Sequence, residues 1–241
     1  MLFTKREILS LCSSILILGF VFGFDDGQET LKFGYWVLNL FKSLIFVTIV
    51  FVLYLSAQKL QARHFGADCT YKIWSLQRFG FNVRHKIPFK IPIGIILSLF
   101  FVFISKGKLT FTAIGEKEIN SNIKTGRKRI DITEFEESLI ILAGPLMNVL
   151  LIMVANIISN VSNINLDLFV NINFYFALFN LLPLPGLDGM KLFFGSRSLY
   201  IFGVLFVILS MFLINYNLIL GLIASFVISL IILTLYFKKW E

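Results

Sequence analysis

One stretch of the chain interrupts an otherwise apolar pattern: Phe179-Asn-Leu-Leu-Pro-Leu-Pro-Gly-Leu-Asp-Gly189. Its two prolines and two glycines end a helix and leave main-chain groups without helical partners. Such irregular main chain is tolerated at membrane depth only where protein or a water-filled cavity surrounds it. Asp188 lies just beyond the break, where a carboxylate needs a cation, a metal ion or access to water. The stretch indicates either a functional centre or a plain helix end with an aspartate at the membrane surface.

The rest of the chain has the composition of a membrane protein. Hydrophobic residues make up 57% of the 241 positions and charged residues 15%, whereas soluble domains carry about 25% charged residues. A membrane-crossing helix takes roughly 20 apolar residues. Segments of about that length are predicted as spans at Ile8–Phe24, Trp36–Gln58, Leu139–Ser159, Leu168–Leu184, Leu199–Leu213 and Leu218–Phe237. The sequence therefore predicts an α-helical polytopic membrane protein with about six transmembrane helices.

Charge placement predicts the orientation of these helices. The net charge is +8, and most of the 22 Lys and Arg residues lie between Lys59 and Arg129. The positive-inside rule places this basic region and both termini in the cytoplasm. That arrangement requires the short apolar segment Ile91–Ser105 not to cross, so we expect a re-entrant segment there. Since membrane orientation and anionic headgroups account for the charge, the lipid bilayer is an expected partner and nucleic acid is not.

Two short segments alternate polar and apolar residues, which is typical of β-strands. They are Lys108–Ile114, which ends at Gly115, and Arg129–Thr133, which follows a basic turn. We expect them to pair as a small antiparallel sheet on the cytoplasmic side of the membrane. No internal repeat or low-complexity linker divides the chain, so residues 1–241 are predicted to form one membrane domain.

Two further motifs accompany the Asp188 stretch. Ala143-Gly-Pro-Leu-Met-Asn148 lies in an apolar helix, where Gly and Pro allow close packing or a kink and Asn148 can hydrogen-bond across helices. Lys59-Leu-Gln-Ala-Arg-His-Phe-Gly66 is a basic helix end closed by a glycine. With Asn180–Gly189, these motifs resemble the site-2 protease family of intramembrane zinc metalloproteases, particularly its archaeal-type members.

The resemblance divides the chain into three parts. Residues 53–194 correspond to a site-2-protease-like core, residues 1–52 to N-terminal helices and residues 195–241 to a C-terminal helical hairpin. It also implies a zinc helix carrying His-Glu-x-x-His, whose histidines bind zinc and whose Glu is the general base. Aligned on the downstream Lys-Leu-x-Ala-Arg, that motif falls on Tyr54-Leu-Ser-Ala-Gln58.

The segment that the resemblance aligns with the family's zinc helix lacks the residues that hydrolysis needs. Tyr54 and Gln58 stand at the two ligand positions, and Leu55, which cannot accept a proton, stands at the base position. Asp188 matches the third ligand position and would be a metal ligand only if zinc is bound. One carboxylate does not hold a catalytic zinc, so no cofactor is expected. We expect Gln58, with Lys59 or Lys191, to satisfy Asp188 in place of a metal.

The resemblance further implies a cleft that receives an unwound transmembrane segment and a sheet that holds an extended peptide by edge pairing. The candidate cleft residues are Asn148, Asn180, Pro183 and Asp188. The expected function is that of a catalytically inactive homologue, a pseudoenzyme. It would bind transmembrane segments of client proteins or regulate an active relative.

Two other functions remain open. The first is an active intramembrane metalloprotease with a non-standard zinc site, built from His64, Asp68 and Asp188 with Cys69 adjacent; the chain's second histidine, His85, lies in a basic surface-like segment. The second is a small transporter or channel, a class that usually shows internal repeats or polar residues along a path through the helices. The sequence is poor in both features.

Overall fold

The computed structural model describes residues 3–25, 32–78, 86–121, 124–125, 128–129, 132–214 and 217–238. Within these residues most of the chain is helical. The helices are α1 (Lys5–Gly23), α2 (Phe33–His64), α3 (Ile93–Ser105), α4 (Glu134–Ser162), α5 (Asp167–Asn180), α6 (Asp188–Gly195), α7 (Arg197–Ile214) and α8 (Leu218–Lys238). The strands are β1 (Ala67–Ile73), β2 (Leu76–Arg78), β3 (Lys86–Ile91), β4 (Gly115–Ser121), β5 (Lys124–Thr125) and β6 (Lys128–Arg129).

Five of the described helices, α1, α2, α4, α7 and α8, are long and apolar enough to cross a membrane. Their outer faces carry many exposed large apolar side chains, which lipid can cover and water cannot favourably solvate. The chain is therefore a membrane protein. The sixth expected span, Leu168–Leu184, contains a helix of only 14 residues, because α5 ends at Asn180. A helix rarely continues into the residue before a proline, and Pro183 follows closely.

The main sheet joins β1 to β4 in antiparallel register, with Ala67 opposite Ser121 and Ile73 opposite Gly115. Two smaller pairs join β2 to β3 and β5 to β6. The predicted pairing of Lys108–Ile114 with Arg129–Thr133 is wrong, because Lys108–Ile114 forms no strand and Arg129 pairs with Lys124; residues 130 and 131 lie outside the described residues. The polar–apolar alternation of Lys108–Ile114 wrongly predicted a strand because residues 111–114 are all buried. Polar and apolar side chains therefore do not separate onto two faces in this segment.

The segment Ile93–Ile114, which we call the α3 hairpin, doubles back on itself. Helix α3 has 13 residues and is about 20 Å long, shorter than the roughly 30 Å hydrocarbon core of a bilayer. At the base, a Cβ placed on Gly94 would lie 2.4 Å from the carbonyl oxygen of Ile114. At the tip, a Cβ placed on Gly107 would lie 2.8 Å from Cβ of Asp25. The hairpin therefore starts and ends beside the β1–β4 sheet and reaches the C-terminal end of α1.

This geometry corrects one expectation about charge. The sheet lies beside the N-terminal half of α1, where the Tyr71 N–H donates to Glu7 Oε1 at 3.0 Å. Lys106 and Lys108 lie at the hairpin tip, beside the opposite end of α1. The basic residues between Lys59 and Arg129 therefore do not all lie at one end of the helices, because α3 carries these two lysines away from the others.

Candidate functional site at Asp188

Asp188 is the first residue of α6, and its side chain is completely buried. The break after α5 turns the chain so that this carboxylate points into the protein. Gly189 permits the turn, because a Cβ at that position would lie 2.1 Å from the carbonyl oxygen of Leu181. Gly186 has φ of +91°, a conformation that favours glycine. The turn formed by Pro-Leu-Pro-Gly-Leu-Asp-Gly thus places the Asp188 carboxylate inside the protein.

Three donors converge on a single oxygen of Asp188. The Tyr54 hydroxyl donates to Oδ2 at 2.6 Å, Gln58 Nε2 at 2.9 Å and Lys117 Nζ at 2.7 Å. Tyr54 and Gln58 lie one turn apart on α2, so their side chains share one face of that helix. The expected contact between Gln58 and Asp188 is present, and the two positions that the resemblance aligns with zinc ligands both face the acid.

The cation beside Asp188 is Lys117, which was not predicted from the sequence. Lys59 instead donates to Glu7 Oε1 at 2.7 Å, and Lys191 to Glu137 Oε1 at 2.9 Å, so both were wrongly expected at Asp188. Lys59 follows Gln58 by about 100° around α2 and faces another direction. The sequence Glu116-Lys-Glu118 could have indicated a buried lysine, because side chains alternate along a strand and the lysine therefore lies on the face opposite the two glutamates.

The Ala-Gly-Pro motif of α4 shapes the same centre. Gly144 lets α2 and α4 approach closely, because a Cβ there would lie 2.5 Å from the Tyr54 ring. Pro145 has no N–H to donate to the carbonyl four residues earlier, which is that of Ile141. Gln58 Nε2 donates to this carbonyl oxygen at 3.0 Å. The motif thus makes room for Tyr54 and supplies an acceptor for Gln58.

The centre keeps unused hydrogen-bonding capacity. Within the described residues, neither Asp188 Oδ1 nor Gln58 Oε1 has a hydrogen-bond partner. Asn180 joins the cluster, since its Oδ1 accepts from Lys117 Nζ at 3.3 Å and its Nδ2 donates to the Phe176 carbonyl at 2.7 Å. The ammonium also lies 4.8 Å from the centroid of the Tyr54 ring, a cation–π distance.

The other two candidate cleft residues lie apart from this cluster. Asn148 is buried on α4, where its Nδ2 donates to the Asn173 carbonyl at 3.2 Å. Its Oδ1 has no partner among the described residues. Pro183 is exposed on the loop between α5 and α6. The structure therefore brings Asn180 and Asp188 together with Tyr54 and Gln58, and leaves Asn148 and Pro183 outside the charged centre.

The donor set at Asp188 does not fit a catalytic zinc ion. Such a site uses three ligands from His, Cys and carboxylates, whereas this one offers a phenol, an amide and one carboxylate already bound to an ammonium. The base position is unsuitable as well, because Leu55 is buried in an apolar cluster. Across the described part of the chain, no group of three or more His, Cys, Asp or Glu side chains is placed to hold a metal ion.

The alternative zinc residues do not converge either. His64 and Asp68 are exposed, whereas Cys69 is buried. Burial, and secondarily the nearby charge of Asp188, raise the pKa of the Cys69 thiol to about 12, which disfavours the thiolate that binds metals. His85 lies outside the described residues.

The two edges of the β1–β4 sheet differ. The outward-facing main chain of β1 is bonded by side chains, since Tyr71 N–H donates to Glu7 and Lys59 Nζ donates to the Cys69 carbonyl at 2.8 Å. The Trp74 N–H donates to the Ile114 carbonyl, so the alternating pattern turns the main chain of Lys117 and Ile119 away from β1. No main-chain hydrogen bond from another described segment reaches these two residues. The open edge is thus on β4, the strand that carries Lys117.

The comparison with known proteins gives one informative relative. A Methanocaldococcus jannaschii protein whose name describes it as a proposed zinc metalloprotease is 28% identical over 195 residues, covering 78% of this chain and 84% of the relative. No protein-family model matches the chain. No solved structure matches it. The relative agrees with the metalloprotease resemblance of the sequence motifs.

Proposed function

We propose that this chain is a site-2-protease-like membrane protein that binds transmembrane segments of client proteins and does not hydrolyse them. The observation that supports this most directly is the buried ion pair between Lys117 Nζ and Asp188 Oδ2 at 2.7 Å. An ammonium at this distance neutralises the carboxylate, which a metal ion would otherwise do. A divalent ion bound to the same carboxylate would lie close to the ammonium, and like charges repel strongly where water is excluded.

Hydrolysis also lacks a general base in this arrangement. A base must reach an attacking water and take its proton, and Leu55 cannot do so. Asp188 accepts hydrogen bonds from three donors on Oδ2, and these donors hold the carboxylate in one orientation. The centre is suited to holding a charge in place and unsuited to moving a proton.

The same proposal includes the membrane arrangement. Helices α1, α2, α4, α5, α7 and α8 cross the membrane, and the α3 hairpin enters and leaves from one side. An even number of crossings places both termini on the same side, and the positive-inside rule makes that side the cytoplasm. Helix α5 has 14 residues, and the partly exposed loop that follows it completes the crossing.

The open edge of β4 supports the proposed client binding. An extended segment can add to a sheet edge through main-chain hydrogen bonds, and the β1 edge is already occupied by Glu7 and Lys59. A segment paired with β4 would run beside Lys117 and Asp188. In the resting structure both side chains are almost fully buried, so a client that reaches them displaces neighbouring side chains.

Metal analysis tests the catalytic half of the proposal. Full-length protein purified without chelators is expected to contain far less than one zinc per chain, and to leave a synthetic transmembrane peptide uncut. The matched variant Asp188→Asn should give the same zinc content. Stoichiometric zinc that is lost in Asp188→Asn, together with peptide cleavage, would show that the chain is an active metalloprotease, the second candidate that the named relative favours.

Photocross-linking in nanodiscs tests client binding. The probe is a synthetic peptide with about 20 apolar residues and a polar extended flank. A photoreactive side chain at Asn120 on β4 should cross-link to the flank, whereas one at its cross-strand partner Asp68 on β1 should not, because both positions are exposed but only β4 has an open edge. Equal cross-linking from both positions, or none, contradicts edge pairing.

A further inference from the structure

The face of the β1–β4 sheet opposite Asp188 carries a charged cavity. It has a volume of about 320 Å³ and is bordered by Lys72 on β1, Lys90 on β3, and Glu116 and Glu118 on β4. Because side chains alternate along a strand, Glu116 and Glu118 face this cavity while Lys117 between them faces Asp188. One strand thus presents acids on one face and a buried ammonium on the other.

The two acids of the cavity differ in their partners. Glu118 forms an ion pair with Lys72. Glu116 is half-buried, and no hydrogen bond or ion pair to its side chain occurs within the described part of the chain. Burial, and then the charge of Glu118, raise the pKa of Glu116, although Lys72, Lys90 and Lys191 act in the opposite direction. The ionised carboxylate is therefore incompletely compensated, and a bound cation would stabilise it.

Glu116 also lies beside the broken loop. A Cβ on Gly186 would be 3.3 Å from Glu116 Oε2 and 2.6 Å from Trp74 Nε1. The carboxylate therefore stands between β4 and the loop that leads to Asp188. A strand added to the open edge of β4 would direct its side chains alternately to the Asp188 face and the Glu116 face of the sheet.

We propose that Glu116 recognises a lysine or arginine in the extended flank of a client transmembrane segment. This inference rests on the proposed client binding and adds the chemical class of the client. The complementarity is between a cation and a carboxylate that has no hydrogen bond or ion pair within the described part of the chain. Basic residues are also what the cytoplasmic flanks of transmembrane segments carry in excess, so the expected ligand is present where the sheet lies.

Peptide binding in nanodiscs tests the inference. Two probes share one apolar segment and differ in one flank residue, Lys or Gln. Wild-type protein is expected to bind the Lys probe about five- to tenfold more tightly than the Gln probe. Glu116→Gln should remove this preference and leave the affinity for the Gln probe unchanged. The substitution keeps the side-chain shape and removes a poorly compensated charge, so the protein is expected to fold.

Controls separate this inference from the proposed function. Glu118→Gln is the matched variant, because its carboxylate is already paired with Lys72, and it should change the preference less than Glu116→Gln does. Glu116→Lys should reverse the preference toward a probe with Glu in the flank. Equal binding of both probes to wild type overturns the role of Glu116 while client binding stands. Failure of both probes to bind overturns client binding and this inference together.

Discussion

Two buried ion pairs flank the β1–β4 sheet, and they are built differently. On the β1 side, Glu7 Oε1 accepts from Lys59 Nζ and the Tyr71 N–H, and Glu7 Oε2 accepts from the Thr4 N–H at 2.7 Å. Lys59 also donates to the Cys69 carbonyl. On the β4 side, the donors to Asp188 crowd onto Oδ2, and Oδ1 has no partner among the described residues.

The difference separates a structural pair from a candidate functional one. The Glu7–Lys59 pair takes the place of a neighbouring strand by bonding the exposed main chain of β1, and both carboxylate oxygens are used. The Lys117–Asp188 pair bonds no strand edge and retains unused acceptors. Buried polar groups without partners are uncommon in proteins, and two of those found among the described residues, Asp188 Oδ1 and Gln58 Oε1, belong to this pair and its neighbour.

The largest expected effect comes from removing the cation beside Asp188. Lys117→Met leaves a buried carboxylate without its counter-ion, which typically costs about 3–5 kcal/mol. The thermal unfolding temperature in detergent should fall strongly. The double variant Lys117→Met with Asp188→Leu removes both charges and should recover most of the loss. Equal stability of the Lys117→Met variant and wild type would contradict the buried pair.

A smaller effect is expected on the β1 side. Lys59→Met leaves Glu7 with two main-chain donors, and the pair borders a polar cavity of about 120 Å³ that can admit water. The loss should therefore be about 1–3 kcal/mol, less than for Lys117→Met. The two variants, unfolded under the same conditions, compare the pairs directly. A larger loss for Lys59→Met than for Lys117→Met would reverse the assignment of structural and functional roles.

The sequence predicted part of the Asp188 centre but did not predict the Glu7–Lys59 pair. The resemblance placed Tyr54, Gln58 and Asp188 near one another because their motifs have fixed positions in the family. The resemblance could not indicate Lys117, because Lys117 lies 71 residues before Asp188 and the pairing of its strand β4 with β1 was not predicted. Glu7 and Lys59 are 52 residues apart, and although Lys59 begins the Lys59–Gly66 motif, Glu7 belongs to no motif, so only the packing of α1 against α2 brings them together.

The helices were more predictable than the sheet. Long apolar runs give α1, α2, α4, α7 and α8 directly, because spanning a membrane requires length and hydropathy alone. Strand pairing depends on contacts between distant segments, and the true partner of β1 carries the charged sequence Glu116-Lys-Glu118 rather than a plain apolar alternation. The α3 hairpin was recognised as unusual from its shortness, but its tip beside Asp25 depends on packing against α1.

A third prediction concerns the support of the Asp188 side by α4. Gly144→Ala adds a methyl group that would lie 2.5 Å from the Tyr54 ring, and such overpacking costs about 1–3 kcal/mol. Combining it with Tyr54→Ala removes the ring and should relieve that cost. The combined variant should therefore lose less stability than the sum of the two single losses. Additive losses in thermal unfolding would show that Gly144 does not pack on Tyr54.

The last prediction concerns the reactivity of the Cys69 thiol, which lies between the two ion pairs. It is the most local of the measurements, and the substitution that it needs is expected to change stability least. Because burial raises the pKa of the Cys69 thiol to about 12, and the thiolate is the reactive form, the folded protein should present little reactive thiol at pH 8. In a Cys12→Ser background, iodoacetamide should hardly label the folded protein and should label it readily in SDS. The rate should rise as pH approaches 12, provided that the fold persists. Labelling of the folded protein at the SDS rate would mean that water reaches the space between the pairs, and the contrast between a sealed β1 edge and an open β4 edge would then fail.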